Sequence, residues 1–227
     1  MENTQICEHV KYSRQGNIIE RYYTLNNKYH RENGPAIIDY FDNGQIVLER
    51  YYLNDKLHNE NGPARIEYYE NGNIKLERFY LNDKLHREDL PAHIEYYENG
   101  IIETERYFAN NQHYRQSGPN EIQYYESGKI KSQAYLTCGK LHSEDKPAKI
   151  NYYDNGNIES KQYYINNEQI DLDKYYYITK SKLISLIHCN MNLDLILEYK
   201  LIVHTIFNND VDLLELIDSK ITMLQLL

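Results

Sequence analysis

The sequence predicts a mainly β protein: an elongated antiparallel β-meander of 28-residue repeats with a small α-helical C-terminal part. Three observations predict it. The chain repeats itself every 28 residues. Each repeat holds two runs of strand character joined by turn residues. After Tyr164 the repeat decays, and apolar residues then recur at helical spacing.

The period is carried first by turn residues. All five prolines fall on it (Pro35, Pro63, Pro91, Pro119 and Pro147), as do six of the ten glycines (Gly16, Gly44, Gly72, Gly100, Gly128 and Gly156). A fixed period of this size marks a repeat architecture, in which each repeat packs mainly on its neighbours.

The second full repeat, Pro63 to Leu90, shows the elements most clearly. Ala64, Ile66 and Tyr68 alternate with Arg65, Glu67 and Tyr69, the period of two of a pleated strand. Asn71-Gly72 follows, the strongest short hairpin signal, because both residues tolerate positive φ. The chain returns through Ile74 to Tyr80, turns again at Leu81-Asn82-Asp83-Lys84, and closes with Leu85-His86 and a polar loop. Pro has no backbone donor and suits the first position of a strand, which is where each proline stands. Gly34, Gly62 and Gly118 precede it, whereas Leu90 and Lys146 take that place in two repeats, so no strictly left-handed backbone is expected there.

The period aligns columns: Ile38, Ile66, Ile94, Ile122 and Ile150; Ile46, Ile74, Ile102, Ile130 and Ile158; Tyr40, Tyr68, Tyr96, Tyr124 and Tyr152. With two main strands per repeat, each repeat advances about 10 Å and the array about 50 Å. Val10-Lys11-Tyr12 before Gly16 reads as an N-terminal capping hairpin. The β domain is placed at 1–178, with a half-unit at 7–34 and repeats from 35, and a helical segment at 179–227.

In that tail Tyr175-Tyr176-Tyr177-Ile178 stands where a sixth first strand would close the sheet. Leu183, Ile184, Leu186 and Ile187 have helical spacing, with Thr179 or Ser181 as caps. Leu193 to Phe207 and the stretch from Val211 to Leu227 read as further short helices. They either cap the last strand or dock a partner.

The net charge is −9, and both parts of the chain are mildly acidic, which disfavours nucleic acid and anionic membrane as partners. Cys7, Cys138 and Cys189 stand far apart with no CxxC pair, as suits a reducing interior. The opening MENTQICEHVKY lacks an apolar signal-peptide run, and no stretch is long and apolar enough to span a bilayer. The expected location is intracellular and cytoplasmic.

The residues that could carry chemistry are copied along the array. His30, His58, His86 and His142 share one position, with Tyr114 in the fourth place. Repeats about 10 Å apart cannot share a zinc whose ligands sit about 2 Å away, so these histidines are expected to bond the turns. Glu67, Glu77, Glu95 and Glu105 recur in the same way and read as solvated strand faces with cross-strand partners such as Arg65 and Arg78. No phosphate loop, GxSxG, HExxH or Cys-His arrangement occurs. No catalytic residue, metal site or cofactor is expected. The aromatic series Phe41, Tyr69, Tyr97, Tyr125 and Tyr153 is the one candidate surface: either a ladder that stabilises a thin sheet or a stacking platform for a ligand.

The pattern YYENGNIKLERFYLNDKLHREDLPAHIEYYENG resembles the variant MORN repeat (membrane occupation and recognition nexus). The likeness spans about residues 7 to 167, and its LHREDGPA-like loops are similar to those of repeat proteins in giant DNA viruses and some bacteria. The resemblance implies a twisted antiparallel meander used as a scaffold or binding surface, with no single function. The longer period and the Glu/Asp-rich loop depart from the standard repeat and count against lipid binding. The expectation is a non-enzymatic scaffold for protein–protein interaction. The alternatives are a glycan or extended-peptide binder using the tyrosines, and an antitoxin-like inhibitory partner. Another protein is the expected partner, and self-association through the C-terminal helices is one route.

Overall fold

The computed structural model describes residues 5–144, 146–189, 214–218 and 220–221. The chain divides into two bodies, one of residues 1–143 and 147–168, the other of 144–146 and 169–227. The division falls ahead of the boundary at 178 expected from the sequence, because the residues from Leu172 are helical.

The first body is an antiparallel sheet in which hairpins follow one another in chain order. Its strand pairs are Cys7–Tyr12 with Ile18–Leu25, Ile37–Tyr40 with Ile46–Arg50, and Arg65–Tyr68 with Ile74–Arg78. They continue as His93–Tyr96 with Ile102–Arg106, Glu121–Tyr124 with Ile130–Ala134, and Lys149–Tyr152 with Ile158–Ile165. The N-terminal pair is the capping hairpin read from the half-unit.

The turn within each hairpin differs from the expected one. Gly72 N–H donates to the Tyr69 carbonyl at 3.0 Å, and Tyr69 N–H to Asn73 at 2.9 Å, so three residues form the loop. Gly72 alone has positive φ, at 86°; Asn71 does not. The Asn71 side chain instead accepts the N–H of Asn73 at 2.9 Å. A three-residue loop of this kind needs the left-handed backbone only at its last position, which explains the glycine column.

A second irregularity recurs beside it. Tyr68 opposes Ile74 but Glu67 opposes Leu76, leaving Lys75 as the extra residue of a β-bulge. The same register shift appears in all six hairpins. Each bulge strengthens the local right-handed twist.

The expected strand from Ile74 to Tyr80 is broken. Ile74–Arg78 belongs to the main sheet, while Tyr80–Leu81 pairs with Lys84–Leu85 in a separate ribbon. Equivalent ribbons join Tyr52–Leu53 to Lys56–Leu57, Phe108–Ala109 to Gln112–His113, and Leu136–Thr137 to Lys140–Leu141. Here both central residues, Asn82 (φ 50°) and Asp83 (φ 65°), are left-handed. This is the two-residue hairpin whose twist matches its strands, and Asn and Asp tolerate that backbone best after Gly.

The core is thin. Ala36, Ala64, Ala92 and Ala148 are wholly buried just after the prolines, and Leu76, Ile94, Ile122 and Tyr107 are nearly so. Small residues there let the loop backbone approach the sheet.

In the second body, Leu172–His188 is an α-helix. Tyr175-Tyr176-Tyr177-Ile178 therefore lies in a helix and not in a sixth strand. The cap is Asp171, whose side chain accepts the N–H of Lys174 at 2.6 Å; Thr179 and Ser181 lie inside the helix. Asp173 adds a favourable charge in the first turn. Tyr175 is almost wholly buried while Tyr177 is exposed. Residues 214–218 and 220–221 are also helical, with Ile217 fully buried. The helix expected over Leu193 to Phe207 lies outside the described residues.

Candidate functional site

The aromatic series lies half-buried near the main turns, except for Tyr153, which is exposed. Tyr69 donates its hydroxyl to the backbone carbonyl of Tyr96 at 2.7 Å, Tyr97 to that of Tyr124 at 2.8 Å, and Tyr125 to that of Tyr152 at 2.7 Å. Each tyrosine thus reaches into the next repeat. Phe41 has no hydroxyl to do so. Lys75 and Lys131, the bulge residues, sit over the rings of Tyr69 and Tyr125 at 5.7 Å.

The other tyrosine column reaches backwards on the opposite face. The hydroxyls of Tyr68, Tyr96 and Tyr124 donate to Glu49, Glu77 and Glu105 at 2.9, 2.7 and 2.8 Å. Tyr152 donates to Gln133, which continues the pattern without a charge. Burial first, then the bond to a carboxylate, pushes the three phenols well above their usual range. These carboxylates alternate with the isoleucine column across the sheet: Ile38, Glu49, Ile66, Glu77, Ile94, Glu105, Ile122. Glu77 and Glu105 are therefore half-buried acceptors for tyrosine, and not the solvated, arginine-paired groups expected.

The histidine column couples the ribbons. The Nδ1 atoms of His30, His58, His86 and His142 accept the backbone N–H of Asn54, Asn82, Asn110 and Asn166 at 3.2–3.3 Å. The second turn residue returns the bond. Asp55, Asp83, Asn111 and Asn167 accept the N–H of Tyr29, Leu57, Leu85 and Leu141 at 2.6–2.8 Å. Each histidine is engaged in its own repeat-to-repeat contact. Among the described residues, no three His, Cys, Asp or Glu side chains gather as a metal-ligand set.

One joint breaks this rule. Between the ribbons at 108–113 and 136–141, Tyr114 stands in the histidine place and Cys138-Gly139 in the turn. Both turn residues keep positive φ. Asn120, where other repeats have alanine, takes over: its amide donates to the Leu136 carbonyl and its oxygen accepts the Leu136 N–H, both at 2.7 Å. His113 Nδ1 is buried there with no hydrogen-bond partner among the described residues. The sequence showed each of these departures but not that they fall at one contact.

The face opposite the isoleucines holds a row of basic side chains on adjacent strands: Arg50, Arg65, Arg78, His93 and Arg106. Arg50 pairs with Asp39 at 2.8 Å and Arg65 with Glu67 at 2.6 Å. Arg106 bonds both Glu95 and Glu121 at 3.1 Å. Arg78 Nε donates to His93 Nδ1 at 3.1 Å, and His93 Nε2 lies 2.7 Å from Glu95 and 2.9 Å from Arg106 Nη1. Burial, with Arg106 and Arg78 adding to it, holds the His93 imidazole below its ordinary value. This group is confined to the central repeats, because Glu121 and Lys149 follow His93 in its column.

The third exposed feature is the loop edge. Pockets with equivalent linings open between successive loops, floored by Tyr51, Phe79 and Tyr107 in turn. Arg31 stacks on Tyr23, Arg87 on Phe79 and Arg115 on Tyr107, with the guanidinium carbon 3.8–4.0 Å from each ring centre. Each arginine also donates to the carbonyl of its loop proline, Pro35, Pro91 or Pro119, at 2.8–3.3 Å. A cation over a ring and a clamp on the loop are thus one device. The sequence reading overlooked it; the Arg31, Arg87, Arg115 column was its visible signal.

No helix among the described residues is long and apolar enough to cross a membrane. A family model described as a MORN repeat variant matches residues 64–85, 92–110, 120–136 and 149–166. No curated protein matches the chain.

Proposed function

We propose that this chain, a protein of variant MORN repeats, is a non-enzymatic scaffold for protein–protein interaction. One observation carries the reading. In the central repeats the two tyrosine columns and His58 and His86, which could do chemistry, are bound to the neighbouring repeat instead, the joint at Tyr114 being the exception. Those bonds fix the spacing between repeats and leave the loops to face outward. Repeats of this family are scaffold-type interaction repeats, and a fixed spacing is what a scaffold requires.

The test is affinity capture with the full chain, paired with a polysaccharide array. The expected result is a stoichiometric protein partner and a silent array. Array binding with no captured protein would replace this reading with ligand binding on the tyrosine series. A single partner whose toxicity the chain suppresses would refine it to an inhibitory scaffold.

A further inference from the structure

The loop column that reads Arg31, Asn59, Arg87, Arg115 has one short residue between arginines. Asn59 keeps the loop clamp: its amide donates to the Pro63 carbonyl at 3.0 Å and its oxygen accepts the N–H of Asn61 at 3.1 Å. With both ends of the amide used in its own loop, Asn59 does not cover the ring of its repeat. Among the described residues no cation stacks on Tyr51, whereas Tyr23, Phe79 and Tyr107 each carry one. The other arginines show what fits there. In two of them the guanidinium lies between the ring and a glycine, whose Cβ would come within 3.4 Å of Arg31 or Arg115.

The pocket at Tyr51 has a volume of about 210 Å³, comparable to the 260 Å³ of the pocket at Phe79, so it is the uncovered ring, not the volume, that sets this repeat apart. Leu53 and His58 line it, and Glu32 and Glu60 stand on its rim with side chains 76% exposed. Arg31 also borders it, but its guanidinium is engaged on Tyr23 and the Pro35 carbonyl. Each carboxylate has a histidine on its inner side, His30 Nε2 3.8 Å from Glu32 and His58 Nε2 3.4 Å from Glu60, and its exposed side chain stays open to a further cation. An aromatic face with flanking carboxylates is the recognition chemistry of a planar cation.

We propose that the Tyr51 pocket receives the guanidinium of an arginine side chain presented by a partner protein, in the place that arginines of the chain itself occupy in other repeats. This rests on the interaction-scaffold reading and names the chemistry of one contact. Arginine is preferred to lysine because a planar group matches the stacking at 3.8–4.0 Å seen three times in the chain.

The test is a titration of the full chain with a capped Gly-Arg-Gly peptide, followed by NMR shifts assigned to Tyr51. A citrulline peptide, neutral and of nearly the same shape, is the control. The expected result is saturable binding that weakens about tenfold with citrulline. It should vanish in Asn59→Arg, which supplies the guanidinium from within. Tyr51→Leu, with its fold checked by circular dichroism, should also lose it. Equal binding of both peptides, binding retained in Asn59→Arg, or no shift at Tyr51 would overturn the proposal. Capture experiments separate it from the wider reading. A partner captured equally by the parent and by Asn59→Arg refutes this pocket while sustaining the scaffold. Failure to capture any partner refutes the scaffold, and the peptide titration still decides the pocket.

Discussion

The hydroxyl of Tyr97 donates to the backbone carbonyl of Tyr124, 2.8 Å away and 27 residues further along the chain. Equivalent bonds tie Tyr69 to Tyr96 and Tyr125 to Tyr152. The series is a set of staples between repeats, each a neutral hydrogen bond of about 1 kcal/mol. Tyr97→Phe should lower stability by about 0.5–1.5 kcal/mol, and Phe41→Tyr should raise it by a similar amount by reaching the Tyr68 carbonyl. Denaturant melts of both variants check this; a neutral Phe41→Tyr would show that the first repeat is not aligned for the bond.

The glycines divide into two kinds. Gly72 and Gly100 have φ of 86° and 84°, and an added Cβ would meet nothing within 4 Å. The cost of Gly72→Val or Gly100→Val is therefore backbone strain alone, about 1–3 kcal/mol. Gly62 has no such φ, and its added Cβ would lie 3.5 Å from the Asn59 amide, an ordinary contact. Gly62→Ala should be neutral or stabilising by up to about 1 kcal/mol through the unfolded chain. Thermal melts that rank Gly62→Ala with Gly72→Val would refute the distinction.

The joint at Tyr114 and Cys138-Gly139 lacks the bonds that couple the other ribbons. Amides of the Leu136–Leu141 hairpin should exchange with solvent faster than those of the Tyr80–Leu85 hairpin. The triple change Tyr114→His, Cys138→Asn and Gly139→Asp restores the pattern of its neighbours. Gly139 has open space around it, and its φ of 73° is one that Asp83 adopts closely at 65°. The variant should gain about 1–3 kcal/mol and lose the fast exchange. Hydrogen exchange on both proteins gives the answer.

Acid should destabilise the sheet through His93. Its imidazole is held below its ordinary value of 6.5, so the unfolded chain takes up the proton first. Stability then rises with pH across that window and falls as the pH drops through 6.5 toward the depressed value. The groups facing it are Arg78, Arg106 and Glu95. The stability lost between about pH 7 and pH 5, read from urea melts, should be larger in the parent than in His93→Gln. Parallel pH profiles would exclude His93 as the source.

Alkali acts through the other tyrosine column. Tyr68, Tyr96 and Tyr124 hold their protons above the ordinary phenol value of 10.0. The stability they contribute is present below that value and is lost as pH rises through the raised ones. Tyrosinate absorbance should show a late fraction that ionises together with the loss of β circular dichroism. Complete ionisation before unfolding would contradict the buried Tyr–Glu bonds.

The period of 28 made the meander legible, because Pro63, Gly72 and Asn82-Asp83 mark fixed places in each repeat. Two things escaped. The bulge at Lys75 has no residue signature, since Ile19, Val47, Lys75, Glu103, Lys131 and Glu159 share that place and range from aliphatic to basic to acidic. The bulge follows from the three-residue turn and the pairing, not from the side chain. The tail was misread for the opposite reason. Tyr175-Tyr176-Tyr177 has strand propensity, but Asp171 caps a helix in front of it, and a good cap with one buried tyrosine outweighs a weak β preference. The direction of the hydroxyls was also out of reach. Alternation assigns Tyr68 and Tyr69 to opposite faces, yet it says nothing of one bonding the repeat behind and the other the repeat ahead.

The recurrent bulge also acts as a counter. Every hairpin carries its bulge at the same place, so the number of twist-strengthening irregularities along the sheet is set by the number of repeats. Duplication or loss of 28 residues would keep the turn, bulge and tyrosine contacts that every joint shares. Selection on such a gene can therefore tune reach and phase together, in whole increments, without inventing a new contact.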